Sequence, residues 1–174
     1  MAEIPDQLVL RRHRDLEGRR NGIHWRRSLL VVLAAFLVAG LLNVFGQRPA
    51  STTIRAPAAS LELSAPSHLR GGLLYAAIFT VRAHRTLRHA ALVLSPGWAT
   101  TQQINTMEPS PLGETSRHGQ LTLLLGKIRR GLAYRLFMQF QVDPTSVGRW
   151  AGDVSLYDGS TRLIHIDRTV TVFP

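Results

Sequence analysis

The sequence predicts an all-β domain, an antiparallel β-sandwich, preceded by one transmembrane α-helix. Three observations carry this. Residues 28–46, SLLVVLAAFLVAGLLNVFG, form an uncharged stretch of 19 residues. From Ser60 onward the apolar residues recur at every second position. Strand-sized runs are then separated by Pro, Gly and Asp turn signals, with no helical pattern after the apolar stretch. A length of 174 residues accommodates one ordinary domain and an appendage and excludes a large multidomain enzyme. Hydrophobic residues make up 45%, enough for a core. The absence of cysteine excludes disulfides, thiol nucleophiles and Cys-ligated zinc or iron–sulfur centres.

Residues 1–27 are a polar, Arg-rich tail with seven arginines among four acids. The stretch from Ser28 to Gly46 follows, with six Leu, four Val and two Phe. As a helix it is about 28 Å long at ~1.5 Å per residue, close to the ~30 Å of a hydrocarbon core. Those twelve side chains favour insertion by on the order of 5 kcal/mol. Arg19, Arg20, Arg26 and Arg27 before it and Arg48 after it are its membrane flanks. The excess of arginine on the N-terminal side places that end in the cytoplasm and the C-terminal domain outside it. A cleaved signal peptide fits less well. The apolar run exceeds the ~7–15 residues of a signal core, and the small-x-small sequence Ala56-Pro57-Ala58 lies far beyond it. Twenty of the 21 basic residues are arginine, a codon bias that points to a high-GC bacterial host. Residues 47–59, QRPASTTIRAPAA, have the composition of an extended linker.

The strands follow from residue 60. Leu61 and Leu63 alternate with Glu62 and Ser64 up to Pro66. Leu73, Tyr75, Ala77, Phe79, Val81 and Ala83 share one parity, and Ala90 to Leu94 is a short apolar strand closed by Ser95-Pro96-Gly97. Gln102 to Met107 is a weak strand. Leu121, Leu123 and Leu125 mark another. Tyr134, Leu136, Met138, Phe140 and Val142 alternate with Arg135, Phe137, Gln139 and Gln141, which predicts one buried and one exposed face. Val154 and Leu156 pair through an Asp158-Gly159 hairpin with a last strand bearing Ile164, Ile166, Val170 and Val172. Arg168 falls on the apolar parity of that strand, which requires a bulge or a snorkelling stem.

The run Leu61-Glu62-Leu63-Ser64-Ala65-Pro66, the long strand opened by Gly71-Gly72, the stretch from Leu121 through Gly126-Lys127-Ile128 to Gly131, and the strand from Tyr134 to Val142 together carry a resemblance. The domain resembles the immunoglobulin-like β-sandwich domains of bacterial surface and cell-envelope proteins. That resemblance covers about two-thirds of the chain, and its motifs are structural. It implies an adhesive, scaffolding or accessory role and transfers no catalytic residue. Such domains often stand in tandem, whereas here a single one follows a membrane anchor.

The residues offer little chemistry. The seven histidines are dispersed, and His84 and His89 sit among cations that oppose metal binding, so no metal site is expected. His165 and Asp167 share a strand face, but no Gly-x-Ser-x-Gly elbow accompanies them, and no catalytic residue is assigned. No phosphate-binding loop or dinucleotide fingerprint is present, so no cofactor and no small-molecule substrate are expected. The net charge of +10 suggests nucleic acid, which the predicted topology excludes. Arg82, His84, Arg85, Arg88 and His89 form instead a candidate patch for an anionic envelope polymer or lipid headgroup. In the span, Ala35, Ala39 and Asn43 recur at i, i+4 and i+8, a small-residue stripe suited to helix–helix contact in a homodimer or with a membrane protein partner. The function expected is a non-enzymatic, single-pass accessory or scaffold protein serving another envelope or membrane protein. The alternative is an anchored or secreted binding module for an anionic polymer or glycan.

Overall fold

The computed structural model describes residues 20–42 and 49–174. The chain forms two compact units, Met1–Gly46 and Gln47–Pro174.

The first unit contains helix α1, Arg20–Leu41. Its segment His24–Leu41 has a mean hydropathy of 1.4, is long and apolar enough to cross a membrane, and has no buried residue. Leu29, Leu30, Val31, Val32, Phe36 and Leu37 are all exposed. The helix includes residues 20–27, ahead of the uncharged stretch that opens at Ser28. No proline interrupts the intervening residues, and arginine is a good helix former, so the helical backbone continues past the apolar stretch. Arg26 and Arg27 therefore belong to the helix itself. Trp25 beside them is 78% exposed. The expected last residues of the span, 43–46, lie outside the described residues.

The second unit is a β-sandwich. One sheet has the order β1-β2-β4-β9-β6, from Ala50–Arg55, Ala59–Ala65, Leu74–Ala83, Ala133–Val142 and Gln102–Glu108. The facing sheet has the order β12-β11-β5-β8-β7, from Thr161–Ile166, Val154–Asp158, Leu87–Leu94, Gln120–Ile128 and Gly113–Arg117. A small third sheet, β10-β13-β3, joins Gly148–Ala151, Thr169–Phe173 and His68–Arg70. All pairings are antiparallel except β13 with β3.

The alternation in the sequence decides which faces meet. Leu61 and Leu63 of β2, Phe79 and Val81 of β4, and Leu136, Met138 and Phe140 of β9 are buried together with Leu92 and Leu94 of β5 and Leu123 of β8. Along β9, Arg135 and Phe137 are exposed as the parity requires, while Gln139 and Gln141 are half-buried and Tyr134 only partly covered. The turn into β9 has Gly131 at φ +82°, a left-handed conformation that glycine adopts without strain.

Three elements differ from expectation. Residues 50–55 are not linker but edge strand β1, paired with β2 from Ala50↔Ala65 to Arg55↔Ser60. β1 is exposed almost throughout, so it shows no alternation, and Ser51-Thr52-Thr53-Ile54 joins the sheet through β-branched side chains and backbone pairing. A one-turn helix α2, Gly97–Thr100, follows Pro96 where only a turn was expected. It inserts Trp98, fully buried, between Phe79 and Phe140 at ring-centroid distances of 5.5 and 5.1 Å. Here Gly97 is required by space, since a Cβ would overlap the Ala151 carbonyl and the Trp150 ring. Finally, the expected last strand is two strands in different sheets, β12 and β13, with the break at Asp167-Arg168. That break re-phases the apolar parity around Arg168.

Two outcomes are expected in thermal or chemical melts. Leu136→Ala should cost roughly 2–5 kcal/mol and Arg135→Ala under about 0.5, because only the first side chain is in the core. Gly97→Ala should cost about 1–3 kcal/mol by overpacking against Trp150.

Candidate functional site

The outer face of the β1-β2-β4 sheet carries an open concavity of about 370 Å³ lined by Thr53, Arg55, Ser60, Glu62, Thr80, Arg82 and His84. Strand register builds it. Arg55 lies opposite Ser60, and Ser60 opposite Arg82, so one row across three strands reads Arg-Ser-Arg. The next row is Thr53, Glu62, Thr80. Neighbouring strands are ~4.8 Å apart, which puts the two arginine backbones about 10 Å from one another with a hydroxyl between them. Neither arginine nor Glu62 has a salt-bridge partner among the described residues, where the one ion pair is His165–Asp167. His84 continues the line past the end of β4. Its Nδ1 donates to the Ala56 carbonyl at 3.2 Å, which fixes the ring over the β1–β2 connection. The concavity thus presents two unpaired guanidiniums, an imidazole and three hydroxyls against a single carboxylate. Such a surface can hold an anionic group by bidentate contacts.

The structure divides the expected basic patch. Arg82, His84, Arg85, Arg88 and His89 are all exposed. Arg82 and His84 line the concavity, and Arg85 follows in the β4–β5 turn. Arg88 and His89 belong to β5 in the facing sheet, at a register irregularity in its pairing with β8. Their backbone N–H groups both donate to Asp158 Oδ1, at 2.9 and 2.8 Å. Asp158 therefore satisfies a bulge as well as entering the hairpin turn. Arg55 gives no such signal along the chain, because its segment has linker composition. Only the pairing of β1 brings it beside Arg82.

A second cluster lies at the base of the β11–β12 hairpin. Ser155 is paired with His165 in register, and their side chains meet with Oγ to Nδ1 at 2.7 Å. His165 Nε2 lies 2.9 Å from Asp167 Oδ1. The order Ser-His-Asp invites a hydrolytic reading, but the exposures are inverted. Ser155 is 8% exposed, while the Asp167 side chain is 89% exposed. A nucleophile must reach substrate and the orienting carboxylate should be sheltered. This row does neither.

The third polar group is internal. Arg168 donates from Nη2 to the carbonyls of Ala65, at 2.9 Å, and Pro66, and its Cζ lies 5.9 Å from the Trp98 ring centroid. Burial lowers the pKa of its guanidinium below the ordinary value. Nearby, the Tyr75 hydroxyl donates to Gln102 Oε1 at 2.6 Å, and burial pushes that phenol well above its usual pKa. These groups are enclosed and support the core.

Of the membrane-flank and stripe residues, Arg20, Arg26, Arg27, Ala35 and Ala39 are in α1. Ala35 is exposed and Ala39 half-exposed. Arg19, Asn43 and Arg48 lie outside the described residues.

No protein-family model and no curated protein matches the chain. Among solved structures it is similar to the CaCohA2 solution structure from Clostridium acetobutylicum, at 12% identity and a TM-score of 0.42, over 68% of this chain and 92% of that one. It is also similar to a non-cellulosomal cohesin from the hyperthermophilic archaeon Archaeoglobus fulgidus, at 12% identity and a TM-score of 0.39, over 62% of this chain and 86% of that one. At this degree of similarity, function must be argued from the residues of this chain.

Proposed function

We propose that the chain is a non-enzymatic, single-pass membrane protein whose β-sandwich serves as an extracytoplasmic accessory or scaffold module for another envelope or membrane protein. The observation that supports this reading most is α1. Its apolar side chains are exposed around the helix, and a helix so constituted is stable in lipid rather than in water. Arginines precede it, so the N-terminus is cytoplasmic and the sandwich is held outside the membrane. The small residues Ala35 and Ala39, one turn apart in the helix, offer a face on which a second helix packs, from a partner or a second copy.

The concavity favours a second role for the same domain, capture of an anionic envelope polymer or glycan. Arg55 and Arg82 flank Ser60 with no internal partner, and unpaired cations on a fixed sheet hold an anion at little ordering cost.

Protease shaving of spheroplasts carrying tags at both ends tests the topology. Digestion of the C-terminal tag alone is expected, with an intact N-terminus recovered from the membrane. Digestion of the N-terminal tag alone would reverse the orientation, and an N-terminus near Ala59 would show that the helix is removed. For the concavity, Arg55→Glu with Arg82→Glu should reduce retention on an anionic polysaccharide matrix at low salt by at least about tenfold, while Arg88→Glu with Arg117→Glu, an equal change of charge on the facing sheet, should have a smaller effect. Equal loss from both would mean that net charge, not the concavity, drives retention.

A further inference from the structure

We propose that Asp153, His165 and Asp167 bind a divalent first-row transition-metal ion at the base of the β11–β12 hairpin. One potential ligand atom from each residue lies within 4.8 Å of the others. The hairpin produces this grouping. Val154 pairs with Ile166, so Asp153 and Asp167 lie just beyond the same end of that pair, and the Ser155–His165 pair lies just inside it, two positions along each strand and hence on the same face. Two carboxylates so placed repel one another unless a cation lies between them. His165 Nε2 and Asp167 Oδ1 are already 2.9 Å apart, close to the separation of two ligands that each lie ~2.1 Å from one ion.

The surroundings orient these ligands. With Nδ1–H donating to Ser155 Oγ, the imidazole keeps the Nε2 lone pair for the ion, and Ser155 acts as the outer partner that metal-bound histidines usually have. Bound metal then takes the place of the proton that otherwise joins Nε2 to Asp167. Asp153 is held from the other side, because its Oδ1 accepts the Arg168 N–H at 2.9 Å and leaves Oδ2 for coordination. The neighbouring Gly152 N–H donates to the Arg168 carbonyl at 2.7 Å, so the β10–β11 connection is clamped to the β12–β13 corner. Asp167 is the exposed member. Its exposed side chain can swing to close the set, and the remaining coordination positions face solvent. One imidazole with two carboxylates suits zinc, nickel or manganese and disfavours soft monovalent copper. The ion would tie the hairpin base across the corner between sheets, and its open positions could accept a carboxylate or imidazole from a partner.

The test uses the full chain in mild detergent, stripped with a chelator and titrated with Zn²⁺ alone, by calorimetry and by thermal melt. Wild type is expected to bind Zn²⁺ and to melt at a higher temperature when loaded. Asp167→Asn should weaken binding at least roughly tenfold and reduce the zinc-dependent shift at a given Zn²⁺ concentration, yet melt like metal-free wild type because that side chain is in solvent. Asp153→Asn retains an acceptor for the Arg168 N–H and should weaken binding likewise. His84→Asn with His89→Asn should bind as wild type does. Absence of binding in the wild type would overturn the proposal. So would wild-type affinity in both aspartate variants, which would assign the uptake to other histidines.

Discussion

The corner at Asp167-Arg168 is the constraint on which the sandwich depends. Without cysteine, no disulfide ties its sheets together. The last forty residues instead pass from one sheet to the other, and Arg168 stands where they cross. Its backbone N–H and carbonyl bond Asp153 and Gly152, and its guanidinium reaches the carbonyls of Ala65 and Pro66 at the end of β2. One residue thus connects the β11–β12 hairpin, the end of β2 and the ring of Trp98. A charged hydrogen bond contributes about 1.5–3 kcal/mol, and leaving two carbonyls unpaired in an enclosed place would cost at least as much. Trp98 depends on the same region, since Gly97 can approach the Ala151 carbonyl and the Trp150 ring only without a Cβ.

Much of this architecture is legible in the sequence because burial on one face writes itself as a period of two. β4 and β9 show it cleanly, and their buried residues are those that the parity picks out. The Asp158-Gly159 turn locates the β11–β12 hairpin for the same local reason. What escapes is what pairing alone creates. β1 and β7 are exposed edge strands with no apolar face, so only their hydrogen-bonded neighbours make them strands. Trp98 sits in a single helical turn too short to have a period. Arg168 announces itself as a parity error, but its partners at residues 65 and 66 are about a hundred positions away.

The candidate sites divide in the same way. Arg82 and His84 are evident as part of a basic run, yet the run does not remain one surface, because the β4–β5 turn sends Arg88 and His89 into the facing sheet. Arg55 completes the concavity only through β1. The cluster of Asp153, His165 and Asp167 requires the hairpin register, which spacing along the chain does not reveal. Both sites lie on fixed strands, the concavity on the outer face of one sheet and the hairpin base at the edge of the other. A domain of this kind presents surfaces, and the apolar helix, long enough to cross a membrane, is proposed to anchor them there.

The central claim, that the anchored chain acts by association, is tested most directly by purification from membranes in mild detergent, comparing wild type with Ala39→Leu at matched expression. The substitution preserves hydrophobicity and insertion while pushing away any helix packed on that face. The account predicts that wild type retains a specific membrane or envelope protein, or a cross-linkable second copy, and that Ala39→Leu loses most of it. Recovery of the chain alone and monomeric from wild-type membranes, under conditions that preserve other membrane complexes, would contradict it.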